Sequence, residues 1–312
     1  MASCLRFLST TDQLHTHDSR LTTFAALGKD LFGSGLPKVE AVEIMDTSPT
    51  SISLRASVNL TNPTPYSAQI PFASILIENN GLIMGEAWVE NLDLRSGSNP
   101  NLIASAMWNP AMDGDKAVKR GRDLLSEYMS GYNTTITVRT HRGTIPALPW
   151  LGEALSRIDL TIPAPRLRLP GEDDDGDGDG DGDDDGEDNG QPHFIRDATF
   201  HVLSSTATFT LVSPLMYNTI YIESVNATAL YNHTEPIGRI EYDVPFAAPP
   251  GSSQTPKLPV DWSMDSVGYG RLKEALGGTL KLDARAVIGV KLGKWRETVW
   301  YVGRGIGAGV RL

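Results

Sequence analysis

The 312-residue chain has a single cysteine, Cys4, so no intrachain disulfide can form and the redox compartment cannot be inferred from cysteine pairing. It also lacks any run of about eighteen apolar residues, and its first residues contain one arginine and a broken apolar stretch. We therefore expect neither a signal sequence nor a membrane span in this sequence. Attachment to a membrane would require a span that lies outside it.

Clusters of basic residues are missing as well. The net charge is -11, but residues 171–190 alone contain twelve acids and seven glycines. Without those twelve acids the rest of the chain has 26 acids against 27 bases, so it is nearly neutral. No Lys/Arg cluster is interleaved with stacking aromatic residues, and a nucleic-acid partner is therefore not expected.

Catalytic motifs are equally scarce. The six histidines form no H-E-x-x-H pattern, and there is neither a C-x-x-C nor a G-x-S-x-G motif. The acidic segment approaches a calcium-loop pattern from Asp177 to Asp188, but prolines rather than helices flank it. Glycines at alternate positions from Gly303 to Gly309 indicate a last strand, since too few residues follow for a nucleotide-binding helix. We predict no catalytic residue, no cofactor and no metal site.

The acidic stretch divides the chain. Its glycines and aspartates have nothing to bury, so we predict a disordered linker over residues 166–192. Residues 1–36 show no sustained periodicity and are predicted to be a poorly structured edge. The two remaining stretches, 37–165 and 193–312, are long enough to fold as separate domains.

The first stretch has the pattern of a β domain. Apolar residues alternate with polar ones over a predicted strand, at Ile52, Leu54, Ala56, Val58 and Leu60. A proline-rich turn at 62–66 follows, then a strand at 68–77, a hairpin turn at 79–81 and strands at 82–89 and 102–108. The period then changes to that of a helix over 118–129, which stops before Gly131, and a strand resumes at 136–140.

The second stretch repeats this plan. The five alternating positions recur 151 residues later, as Leu203, Ser205, Ala207, Phe209 and Leu211. The same offset superposes Pro63 on Pro214 and Tyr66 on Tyr217, and slightly different offsets match Gly85 with Gly238, Trp108 with Trp262 and a second helix at 267–276. The order of turn, hairpin, tryptophan, helix and strand recurs unbroken, so we predict an internal duplication.

Residues 59–66, read as NLTNPTPY, and the later segment 121–135 resemble a fungal family built from repeated late-embryogenesis-abundant type 2 (water-stress-like) domains. The resemblance covers the C-terminal two domains of such proteins. It implies a location in the vacuolar lumen or at the vacuolar membrane, attachment through a span absent from this sequence, and, for one relative, a role in ending autophagy. It supplies no catalytic residues.

We therefore predict an all-β fold with minor α content: two immunoglobulin- or fibronectin III-like antiparallel sandwiches, each with one helical insertion. The leading function is a non-enzymatic lumenal module that binds a protein partner. The alternatives are a binder of lipids or other apolar ligands and a soluble cytosolic stress-type protein. Four N-x-T sequons are candidate glycosylation sites, at Asn59, Asn133, Asn226 and Asn232.

Overall fold

A computed structural model describes residues 38–62, 65–147, 149, 152–153, 156, 159–164, 194–213, 215–262 and 279–311. The predicted N-terminal edge at 1–36, the acidic linker at 166–192 and the second helix at 267–276 lie outside the described residues. The described part is dominated by strands and forms two sheets, one in each half of the chain. The prediction of two mostly-β, sandwich-like domains is confirmed.

The first domain is one seven-stranded sheet in which all pairings are antiparallel. Its strands are β1 (Lys38–Thr47), β2 (Ile52–Asn62), β3 (Ala68–Asn79), β4 (Leu82–Leu94), β5 (Gly97–Trp108), β6 (Thr135–Arg139) and β7 (Asp159–Pro163). Their order across the sheet is β1-β2-β5-β4-β3-β6-β7. The turn between β3 and β4 has positive φ at both Asn80 and Gly81, as the Asn-Gly pair predicts.

One helix, α1 (Asp115–Met129), follows a short 3-10 turn at Pro110–Asp113 and begins three residues before the predicted start. Its buried Ala117 and Leu124 pack with Met84 of β4. The helix ends in a Schellman motif, because Gly131 takes a φ of +77° and the N–H of Tyr132 donates to the carbonyl of Glu127 at 3.0 Å. The predicted stop before Gly131 is therefore confirmed.

The second domain has ten strands in one sheet. They are β8 (Ile195–His201), β9 (Thr206–Ser213), β10 (Ile220–Tyr231), β11 (Glu235–Tyr242), β12 (Phe246–Ala248), β13 (Gly251–Gln254), β14 (Leu258–Pro259), β15 (Asp261–Trp262), β16 (Thr279–Leu292) and β17 (Trp295–Arg311). The segments β13, β14 and β15 together take the place of β5, since they pair with β9 on one side and with β11 on the other.

This arrangement closes the second sheet on itself. β17 is paired with β16 and, over Gly307–Arg311, also with β8, so the ring runs β8, β9, β13–β15, β11, β10, β16, β17. With β13–β15 counted as one strand, the ring has seven strands, and a ring with an odd number of strands cannot be antiparallel throughout. The β8–β17 pair is accordingly parallel, which is the one departure from the predicted antiparallel pairing among the described strands. Buried apolar residues such as Phe200, Ile237 and Val310 fill the interior.

The duplication is visible in the pairing of equivalent residues. Gly85 lies opposite Trp108 and Gly238 lies opposite Trp262, as the sequence match predicts. Two equivalences were wrong: Leu203 and Ser205 correspond by offset to Ile52 and Leu54 of β2, but both are exposed in the turn at residues 202–205, Leu203 by 81%. The reason is strand length, because β9 has eight residues against eleven in β2, and the turn takes up the difference.

Candidate functional site

Helix α1 of the first domain lies along one edge of β17 of the second domain. The hydroxyl of Ser126 accepts a hydrogen bond from the backbone N–H of Trp300 at 3.0 Å, and that of Ser130 accepts one from Val302 at 2.9 Å. Four residues along a helix rise about 6 Å and two residues along a strand about 6.8 Å, so the two spacings match. Over this part of β17 the serines satisfy an edge that β8 does not reach.

Trp300 also makes side-chain contacts across this edge. Its indole Nε1–H donates to Asp123 Oδ1 at 3.3 Å, and the Tyr132 ring meets it edge-on with centroids 6.2 Å apart. Close by, Arg122 Nε donates to Glu297 Oε1 at 2.9 Å. Backbone, ring and charge contacts therefore all connect α1 and the turn after it to the same short length of β17.

A second group of contacts lies at the end of β1. The N–H of Lys294 donates to Thr47 Oγ1 at 2.8 Å, and Asn218 Nδ2 donates to the carbonyl of Ile44 at 3.4 Å. On the apolar side, Leu125 and Met129 of α1 pack against the core cluster of the second domain. We call this interface the seam. On the first domain it comprises α1, Tyr132 and the C-terminal end of β1. On the second domain it comprises residue 218, the turn at 293–294 and residues 295–302.

The seam depends on α1 being fixed to its own sheet. Arg120 donates two hydrogen bonds to the Glu127 carboxylate, at 2.7 and 2.8 Å, and its Nε donates to Asn79 Oδ1. Asn79 Nδ2 in turn donates to the carbonyl of Thr135 at 2.6 Å. The hydrogen bond to Glu127 raises the pKa of Arg120, and this effect exceeds the opposing effect of burial. Arg120 thus connects the helix to Asn79, the last residue of β3. Asn79 is in turn hydrogen-bonded to Thr135, the first residue of β6.

A small apolar cavity lies inside the second domain. Its volume is about 70 Å³, and its walls include Phe209, Leu211, Ile222 and Ile240, with threonines as the only polar residues. For comparison, a dry apolar cavity of about 150 Å³ binds one benzene molecule. This cavity is therefore too small for a lipid acyl chain, and it does not favour the lipid-binding alternative.

A Ser–His contact in the first domain invites comparison with a catalytic pair. Ser74 Oγ lies 3.2 Å from His141 Nε2, and the backbone N–H of Gly143 donates to His141 Nδ1 at 3.1 Å. Because Nδ1 accepts that bond, the neutral ring carries its proton on Nε2 and donates it to the serine. In this tautomer Nε2 is a donor to Ser74 and not a base, and the contact links the loop at 141–144 to β3.

The four sequons lie in different surroundings. Asn133 follows the helix-ending turn, Asn226 lies midway along β10, Asn232 lies in the β10–β11 turn, and all three are exposed. Asn59 is only half-exposed, although alternation along its strand predicted the solvent face. Its Nδ2 donates to Glu40 Oε1 and its Oδ1 accepts from the N–H of Asn101, both at 2.9 Å. Use of the sequons stays a prediction.

Two further features of the described part bear on function. No helix there is long and apolar enough to cross a bilayer. No group of three or more His, Cys, Asp or Glu side chains within it is placed to hold a metal ion. The seam was not predicted from the sequence. Its only local signal is the pair of serines Ser126 and Ser130, four residues apart on the helix and both buried.

Two β domains of the same plan, connected by a helix on a sheet edge, define a tandem β-sandwich protein. Residues 35–152 match the family model described as the Tag1-like fourth LEA-2 like domain, and residues 187–300 match that of the Tag1-like fifth LEA-2 like domain. Over these ranges the chain consists of repeated LEA-2-like domains, as the resemblance predicted. No curated protein matches the chain. Domains of this type fit a non-enzymatic β-sandwich module.

Proposed function

We propose that the chain is a non-enzymatic interaction module that offers an edge of its first domain to a protein partner. The observation that supports this is a difference between the two copies. In the second domain β8 and β17 pair and close the ring. Their counterparts β1 and β7 form no ladder with each other among the described residues and stand at the two ends of the sheet.

A strand at the end of a sheet presents backbone N–H and C=O groups that an extended peptide can pair with. The seam touches β1 at Ile44 and Thr47, at its C-terminal end. The seam also gives the first domain a fixed neighbour, so the edges are held on a docked two-domain unit rather than on a single domain. Pre-organisation of this kind lowers the entropy cost of binding.

Site-specific photo-crosslinking tests this proposal. A photoreactive amino acid at Met45 of β1 or Thr161 of β7, both exposed, should form adducts with a protein partner in cells of the native host. The matched control position is Val287, which is 50% exposed on the closed second domain. Adducts at the edge positions and none at Val287 are expected. Equal labelling at Val287, or none at either edge, would refute the edge as the binding surface.

The compartment belongs to the same proposal. We place the domains in the vacuolar lumen of a fungal cell, attached to the membrane through a span outside this sequence, with a role in regulating autophagy. The resemblance to the fungal family and the exposure of Asn133, Asn226 and Asn232 support a glycosylating, lumenal route. A cytosolic stress-type role is the alternative, and it differs in leaving every sequon bare.

Lipid binding is the other alternative, and the extracted protein tests it. If the two domains carried an apolar ligand, native mass spectrometry of protein purified from its host would show stoichiometric lipid. The cavity of about 70 Å³ predicts a lipid-free mass instead. One bound acyl lipid per chain would favour the lipid-binding alternative over the interaction-module proposal.

A further inference from the structure

Equivalent positions in the two domains can be compared residue by residue, and the comparison identifies a group of residues around β10 that differs between the copies. β3 and β10 each have a bulge at the same place, after Ile77 in the first and after Ala229 in the second. The residue that follows the bulge is Glu78 in the first copy and Leu230 in the second. A matched bulge fixes the register of the two strands relative to each other, so Glu78 and Leu230 are equivalent positions.

The same register identifies an arginine that has lost its partner. Leu76 pairs with Arg139 in the first domain and Thr228 pairs with Arg285 in the second, so the two arginines are equivalent. Arg139 forms an ion pair with the buried Glu78 at 3.2 Å. Because leucine replaces Glu78 in the second copy, Arg285 has no ion-pair partner among the residues that the structure describes.

The neighbouring turn has changed in a related way. Asn80-Gly81 in the first domain becomes Asn232-His233 in the second, and the two turns keep the same positive φ angles, with +74° at Gly81 and +67° at His233. A histidine is strained where glycine is favoured. The imidazole of His233 is held in place by a contact with Asp283, since His233 Nδ1 lies 2.7 Å from Asp283 Oδ2. Residues held in strained backbone conformations cluster at functional sites, including binding sites.

These residues border one pocket of about 360 Å³. Its walls include His233, Asp283, Arg285 and Arg304 of the second domain and Tyr132 of the first. Both oxygens of Asp283 are engaged, one with His233 and the other with the N–H of residue 305 at 3.1 Å. Arg304, like Arg285, has no ion-pair partner within the described ranges. Arg285 and Arg304 therefore line a pocket in which Asp283, the one carboxylate among its described wall residues, is already bonded.

We propose that this pocket binds a phosphate or phosphomonoester group. The planar guanidinium groups of Arg285 and Arg304 each present parallel N–H donors that suit an oxyanion. Together with the imidazole of His233 they supply more donors than the two oxygens of a carboxylate can accept in good geometry, whereas a phosphate has three terminal oxygens. Because Tyr132 belongs to the first domain, the complete pocket exists only when the two domains are docked.

Titration calorimetry with inorganic phosphate tests the site, using the full chain produced in a host without N-glycosylation. Arg285→Gln should weaken phosphate binding at least tenfold. Arg196→Gln, which removes an exposed charge from β8 of the same domain, is the matched control and should leave the affinity unchanged. No detectable phosphate binding by the unmodified chain, or equal losses in both variants, would overturn the proposal.

His233→Gly separates binding from folding. This change restores the Asn-Gly turn of the first copy and relieves the strain at a φ of +67°, so the melting temperature should rise. Phosphate affinity should fall at least tenfold at the same time. A more stable protein that still binds phosphate as tightly would show that His233 is not part of the site, and the proposal would then be wrong.

The source of the phosphate is decided by a second arm. Phosphatidylcholine vesicles with and without phosphatidic acid are compared in a flotation assay. Binding to the acidic vesicles that inorganic phosphate displaces, and that Arg285→Gln abolishes, identifies a lipid headgroup as the ligand. Phosphate binding without vesicle binding identifies a soluble phosphomonoester. Vesicle binding that neither phosphate nor the variant changes would not involve this pocket and would count against the proposal.

Discussion

Gly238 lies directly opposite Trp262 in the ladder between β11 and β15, and a Cβ atom at Gly238 would come within 3.1 Å of Trp262 Cε3 and 2.9 Å of Val260 Cγ1. The first copy contains the same pair, since Gly85 lies opposite Trp108. There an added Cβ would overlap the Met107 carbonyl oxygen. In both domains the strand can approach its tryptophan-bearing neighbour only because the facing residue has no side chain.

Replacement of these glycines should therefore destabilise the fold. Gly85→Ala forces a side chain against backbone, and Gly238→Ala forces one against side chains that can adjust. We expect a loss of about 3 kcal/mol in unfolding free energy for Gly85→Ala and about 1 to 2 kcal/mol for Gly238→Ala, the usual range for overpacking. Urea unfolding followed by circular dichroism measures both.

Gly309→Ala is the matched control for these variants. Gly309 also lies within a strand, but the nearest atoms to an added Cβ are 4.0 Å away, which is ordinary contact. This variant should be as stable as the unmodified protein or slightly more so. If Gly309→Ala were as damaging as Gly85→Ala, the close approach would not be the reason for the glycines.

The serine contacts of the seam predict a local loss of protection. Ser126→Ala leaves the N–H of Trp300 without its acceptor at a position where the serine side chain is fully buried. An unpaired buried donor costs about 1 to 3 kcal/mol. Hydrogen exchange of the Trp300 amide should be faster in Ser126→Ala than in the unmodified protein. Ser130→Ala should have the same effect on the amide of Val302.

Ser252→Ala is the control for that experiment, since Ser252 is exposed on β13 of the same domain. It should change neither amide. Exchange of Trp300 and Val302 that is already fast in the unmodified protein would show that α1 does not cover the edge of β17 in solution, and the two domains would then be independent.

Tyr301 predicts a specific response to alkali. Burial raises its pKa to about 12, and although the backbone of Ile195 is near enough to reduce this shift, the hydroxyl makes no hydrogen bond of good geometry. An unfolded tyrosine ionises near pH 10, so the folded state favours the neutral form. This contribution to stability is complete below pH 10 and falls away between pH 10 and 12, by about 3 kcal/mol in all.

Tyr301→Phe removes both the titrating group and a buried unpaired hydroxyl. We expect unchanged or slightly higher stability at neutral pH, by up to about 1 kcal/mol, and a smaller loss above pH 10. Tyr221→Phe, at a tyrosine that is 46% exposed, is the control and should leave the pH profile as it is. Urea unfolding on both sides of pH 10 distinguishes the two. Identical alkaline slopes for all three proteins would contradict the assignment to Tyr301.

The parts of the fold that sequence reasoning found are those encoded by neighbouring residues. Alternation at period two identified β2, the Asn80-Gly81 pair identified the first hairpin, and the glycine at position 131 identified the end of α1. The closure of the second ring was not predictable in this way. It depends on pairing between β8 and β17, which lie at opposite ends of the domain, and nothing local in either strand specifies the other.

The seam escaped prediction for the same reason. Ser126 and Ser130 have no apolar character, so a helical wheel assigns them to neither a core nor a binding face, and their partners are backbone groups about 170 residues away. The pocket around Arg285 required comparison of the two copies in register. The bulges that fix that register are features of strand pairing, and they leave no residue signature in the sequence.

The compartment is tested by glycosylation. If the domains enter a glycosylating lumen, the exposed Asn133, Asn226 and Asn232 should carry glycans. Asn59 should remain bare, because both ends of its side-chain amide are bonded in the fold, to Glu40 and to the backbone of residue 101. The protein from its native host, with its natural N-terminus, should therefore lose mass in three steps on partial treatment with an N-glycan-removing enzyme.

Asn133→Gln should remove one of those steps, and Asn59→Gln should remove none. Asn133 is the most informative position, because it is exposed in the connection just after the Schellman motif that ends α1. Loss of a step in Asn59→Gln would mean that the acceptor is used before β2 pairs with its neighbours. Migration that the enzyme leaves unchanged would place both domains in the cytosol, and the lumenal proposal would fail while the fold and the seam stood.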